Sequence, residues 1–112
     1  KGSEELPSLV LKDRRKLART GIVVAWLVLD VSEAEIVSGP NLLSQGVFRS
    51  SEDEEDLIAE ASEVARQAIM DMNLESRSEP AEVAETMRRA VRRFFYRELD
   101  SKPVVVPIVH DV

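Results

Sequence analysis

Ile22-Val-Val-Ala-Trp-Leu-Val-Leu29 decides how this chain reads. Eight apolar residues are too few to cross a membrane, which takes about 20. Four of the eight are β-branched, and the length suits a strand. Strand alternation puts Ile22, Val24, Trp26 and Val28 on one side, and Val23, Ala25, Leu27 and Leu29 on the other. Both sides are apolar, so both need cover.

Outward from this strand, Asp30 to Glu35 reads as a polar turn. Glu35-Ile-Val37 starts a return strand, broken at Gly39-Pro40-Asn41, and Leu42 to Phe48 resumes extended structure with Gly46 as a bulge. Ser51 followed by Glu54 forms a capping box. Leu57, Ile58, Ala61, Val64, Ala65, Ala68, Ile69 and Met72 then recur at helical spacing. Asn73 to Ser78 is a polar break. Pro80 is placed for the first turn of a second helix, with Val83, Met87, Ala90, Val91 and Phe94 on one face. Val104 to Val109 is a last strand, and Pro107 argues for the sheet edge or a bulge. On the other side of Ile22, Gly21 caps a short extra helix over Leu9–Ala18, whose segment carries Lys12, Arg14, Arg15, Lys16 and Arg19 against Asp13. Residues 1–8 read as a linker from a preceding domain, and residues 9–112 as one domain. The start lacks an initiator Met, which suits a piece of a longer polypeptide, or a tagged or processed product.

The order predicts an α+β fold: a small three-stranded mixed sheet with two α-helices packed on one face. Two helices cover one side of such a sheet and leave the other to a partner or a second copy, unless the N-terminal helix folds over it. Alternation leaves either face open to that partner. The bulk of Trp26 favours its face for the core, so the expected interface is Val23, Ala25, Leu27 and Leu29 with Val105 and Val109. On that reading Leu27→Glu breaks assembly and spares the helices.

Composition excludes more chemistry than it suggests. The 112 residues hold no Cys and one His, so disulfide scaffolds, Cys-based metal fingers, thiol nucleophiles and multi-His metal sites are out. The glycines, at 2, 21, 39 and 46, are too scattered for a phosphate-binding loop. His110 has no ligand companion and reads as a half-buried or surface residue. The acids Glu52 to Asp56 lack the spacing of a calcium loop and suit the positive end of a helix. No catalytic or metal-ligating residue is expected within the chain. With 15 basic and 21 acidic residues the net charge is −6, the wrong sign for a free-standing nucleic-acid domain. Against that sign, Arg88, Arg89, Arg92, Arg93 and Arg97 lie at spacings of three and four on the second helix. They either meet phosphates or serve the helix dipole and pair with Glu85. Arg88, Arg89, Arg92 and Arg93 are the candidate RNA contacts. Phe95 and Tyr96, among them, read as core or subunit packing. No apolar stretch follows a basic start, so no signal peptide is expected, nor a membrane partner; with the missing Cys this fits the cytoplasm.

Several stretches together resemble the C-terminal domain of ribonuclease J. They are Leu11-Lys-Asp-Arg-Arg-Lys-Leu-Ala18 followed by Gly21-Ile-Val-Val; Glu35-Ile-Val-Ser-Gly-Pro-Asn-Leu-Leu-Ser-Gln-Gly-Val-Phe48; Arg93-Phe-Phe-Tyr96; and Lys102-Pro-Val-Val-Val-Pro-Ile-Val109. Asn41 stands where the family usually has aspartate, Gln45 where it has arginine, and His110 where an apolar residue is commoner. The resemblance implies a parent with metallo-β-lactamase and β-CASP domains that degrades RNA, as an endonuclease and 5′-to-3′ exonuclease, with zinc or a similar divalent metal. For this segment it implies no cofactor and a non-catalytic role in dimer or tetramer assembly, alongside the catalytic domains of the same polypeptide. An RNA-positioning module and a stand-alone protein-interaction domain are the alternatives.

Overall fold

A computed structural model describes residues 21–48 and 53–112. Three strands, β1 (Ile22–Asp30), β2 (Glu35–Gln45) and β3 (Val104–Asp111), form one sheet in the order β2-β1-β3. β1 pairs antiparallel with β2 and parallel with β3. The sheet is mixed, and the two-faced apolar strand is its centre, where neighbours on both sides leave no edge to hydrate. Between β2 and β3 lie α1 (Glu54–Met70), a one-turn α2 (Leu74–Arg77) and α3 (Pro80–Leu99). The α+β class, the mixed three-stranded sheet and the two long helices are as expected. Pro107 sits on an edge strand, where its missing N–H costs no ladder bond to a further strand. The N-terminal helix and linker, with their bases, lie outside the described residues.

Four local expectations are corrected. The return segments are one strand, not two. Trp26 pairs with Asn41, Val28 with Ser38 and Leu29 with Ile36, so β2 carries two extra residues as bulges and continues through Gly39 and Pro40. Gly39 permits this: its φ is +88°, and a Cβ there would stand 2.8 Å from the Trp26 carbonyl oxygen. Gly46 is no bulge, because β2 ends at Gln45. The N-cap of α1 is Asp53, which makes no side-chain capping bond; Ser51 of the expected capping box lies outside the described residues. Finally, Asn73 to Ser78 is not a plain break. The Asn73 side chain accepts from the Ser76 N–H at 2.8 Å and caps α2.

The core lies between the helices and one sheet face. Val23, Ala25, Leu27, Leu29 and Val105 are buried there with Ala61, Ala65 and Ile69 of α1 and Val83, Met87, Val91, Phe94 and Phe95 of α3. Val109 packs at its margin. This reverses the expected faces. Val23, Ala25, Leu27, Leu29, Val105 and Val109 are under the helices and are not the free interface. The helices bring the bulk, with Phe94 and Phe95 in T-shaped contact at 5.4 Å. A strand face holding Ala25 leaves room for that bulk, whereas the Trp26 face would crowd it.

Candidate functional surfaces

The sheet face that no described residue covers is built by register. Three cross-strand rows, Gln45–Ile22–Val104, Leu43–Val24–Val106 and Asn41–Trp26–Ile108, are followed by Ser38–Val28–His110. Eight of these twelve residues are apolar and none is an acid, Lys or Arg. Six of the eleven large exposed hydrophobics of the described residues stand here: Ile22, Trp26, Leu43, Val104, Val106 and Ile108. Trp26 is 38% exposed while Leu27 beside it is 1% exposed. Among the described residues, the face of Ile22, Val24 and Trp26 is therefore the open one.

The second surface is the outer side of α3. The helix turns about 100° per residue, so Arg88, Arg92, Tyr96, Arg89 and Arg93 share an arc of about 140°, opposite the buried Val83, Met87 and Phe94. The four arginines, Tyr96 and Lys102 line an open groove of about 360 Å³. The Lys102 ammonium lies 4.9 Å over the Tyr96 ring. Arg97 leaves this group: its guanidinium lies 5.9 Å over Phe94 and 3.5 Å from Glu98. Phe95 is core, as expected, but Tyr96 is half exposed.

Glu85 is the acid at the head of this stripe. Arg88 binds it in a fork, Nε to Oε1 at 3.0 Å and Nη2 to Oε2 at 2.6 Å, and Arg89 Nε reaches Oε2 at 3.0 Å. The Arg88 hydrogen bonds, chiefly, pull the Glu85 carboxyl down to about 2. One carboxylate thus serves two arginines. Arg92 and Arg93 have no carboxylate partner among the described residues.

In the sequence Arg77 is a lone base in a polar break, with nothing to mark its role. Its Nε donates to the Ala34 carbonyl at 2.9 Å, and its Nη1 to those of Met70 and Met72 at 3.0 and 3.1 Å. It closes the carbonyl end of α1 and ties it to the β1–β2 turn. The acids Glu54, Glu55 and Asp56 occupy the first turn of α1, where the helix dipole favours them. Among the described residues there is no cluster of three or more His, Cys, Asp or Glu able to hold a metal, and no helix long and apolar enough to cross a membrane.

Comparison with known proteins gives these surfaces a setting. Ribonuclease J2 of Bacillus subtilis (strain 168) is 32% identical over 111 residues, 99% of this chain and 20% of that protein. Ribonuclease J 2 of Staphylococcus aureus (strain NCTC 8325 / PS 47) is 30% identical over the same share of each. The chain spans about a fifth of the length of these relatives. The family model described as the ribonuclease J C-terminal domain matches residues 9–112, and with a mixed sheet and two helices of the expected order the chain belongs to that family.

Proposed function

We propose that this chain is a non-catalytic assembly domain of a metal-dependent, RNA-degrading enzyme, and that its open sheet face closes against the same face of a second copy. The observation that carries this is the row pattern of that face: eight apolar residues around Trp26 with no acid, Lys or Arg among them. The net charge of −6 makes two copies repel at long range. A contact free of these charges removes the repulsion from the interface itself, and an apolar patch is complementary to its own copy. The relatives named ribonuclease are about five times longer than this chain. The hydrolytic chemistry and its zinc or similar ion are therefore assigned to other segments of such a polypeptide, which degrades RNA in the cytoplasm. His110, the single imidazole, stands alone on the open face and is given no metal to hold.

Sedimentation velocity over a concentration series tests the reading. The chain is expected to run as a dimer or larger. Trp26→Glu combined with Ile108→Glu is expected to run as a monomer with an unchanged far-UV circular dichroism spectrum. A wild-type monomer at every concentration overturns the proposal.

A further inference from the structure

We infer that the outer side of α3 is a contact for single-stranded nucleic acid, in which the arginines hold backbone phosphates and Tyr96 stacks a base. From Thr86 to Arg97 the helix has five arginines and no acid, in a chain whose total charge is negative. Four of those arginines converge on one groove. Cations gathered on one face of an acidic protein mark a place where anions collect. The geometry narrows the anion. Arg88 and Arg92, and likewise Arg89 and Arg93, stand one helical turn apart, about 6 Å along the axis. Such a ladder suits a repeating charge better than a single ion. Guanidinium forks match phosphate oxygens in pairs. Tyr96 sits at the centre of the arc, half exposed, with Lys102 over its ring. A phosphate chain alone gives an aromatic ring nothing to bind, whereas a single strand presents bases beside its phosphates. The groove is open rather than deep, which suits a strand laid along it.

Glu85 sets the polarity of the site. It offsets half the charge of the Arg88–Arg89 end. Arg92, Arg93, Tyr96 and Lys102 form the end with charge to spare. The apolar sheet face takes no part, so this proposal stands or falls apart from the assembly reading.

Fluorescence anisotropy of a labelled oligouridylate tests it on the 112-residue chain. Binding is expected at low salt, with affinity falling on the log–log plot by about 0.7 per phosphate contacted. Arg92→Glu with Arg93→Glu should weaken binding at least about tenfold and flatten that slope by about 1.4. Tyr96→Ala should weaken it about fivefold or more with the slope unchanged. Trp26→Glu should bind as the wild type does, and polyglutamate should not compete. The three α3 positions are exposed, and circular dichroism checks that each variant is folded; Arg92→Gln with Arg93→Gln replaces the double reversal if that one unfolds. The proposal is overturned by a wild type that does not bind, by arginine variants that bind equally well, or by a neutral Tyr96→Ala. Equal competition by polyglutamate also overturns it, in favour of an acidic protein partner.

Discussion

Leu27 and Trp26 are neighbours in one strand, and both sides of that strand are apolar. Leu27 is sealed beneath α1 and α3; Trp26 faces outward with Leu43, Val106 and Ile108 around it. The two faces differ little in hydrophobicity. They differ in relief. The covered face holds Ala25 and accepts two phenylalanines from above. The open face carries the one Trp and presents a surface for something flat. The lesson is that cover goes to the face whose shape fits the covering elements, and that the bulkier face is not thereby the core face.

The sharpest way to break the comparison is one charge placed on each side. Leu27→Glu puts a carboxylate into a dry core with no partner and should unfold the domain, at a cost of several kcal/mol. Trp26→Glu should change thermal stability of the monomer by less than about 1 kcal/mol and act on association alone. Calorimetry beside sedimentation separates the two. If Leu27→Glu stays folded and loses only its assembly, the assignment of faces is wrong.

The same contrast exists within α3. Phe95 is fully buried and touches Phe48 and Phe94 edge-on, whereas Tyr96 is half exposed. Phe95→Ala should cost about 3–5 kcal/mol in urea unfolding, and Tyr96→Ala less than about 1. Arg77 ties the helix layer to the sheet, so its loss should loosen the covered side only. Arg77→Ala is expected to lower stability by about 1.5–3 kcal/mol. Arg77→Lys should recover little of that, because an ammonium cannot reproduce the guanidinium fork.

The smallest effect concerns Glu85. Its carboxyl is held at about 2 in the fold, below the ordinary 4.5. A depressed acid adds stability that is present above the unfolded value and is lost as pH falls from about 4.5 through about 2. Carboxyl NMR should show Glu85 still ionised near pH 3.5, and Arg88→Ala should return it toward the ordinary range. Glu85→Gln should release two guanidinium groups and steepen the salt dependence of oligouridylate binding by about 0.7 for each added contact.

Most of the element order was legible because it rests on local periodicity. The alternation of Ile22 to Leu29, the helical repeat from Leu57 to Ile69 and Pro80 at the head of α3 each report a backbone geometry by themselves. What failed depended on neighbours. The turn signal at Gly39-Pro40 is genuine as local chemistry, yet pairing with Trp26 and Val28 carries the strand through it as bulges. Tyr96 looked like packing because it follows two phenylalanines, but one further residue turns the side chain about 100° away from the core. Arg77 had no sequence signal at all, since its three carbonyl partners come from Ala34, Met70 and Met72 and meet only in three dimensions.

By itself the sequence determined the α+β class, the central strand with two apolar faces, the arginine-rich side of α3 and the poverty of catalytic groups. These follow from residue type and spacing, which act within one element. Only the tertiary structure decided which face of β1 the helices cover, that β2 is one bulged strand, and that Tyr96 and Lys102 join the arginines. Each of those depends on how volumes and charges from separate elements meet, and no periodicity within a single element carries that information.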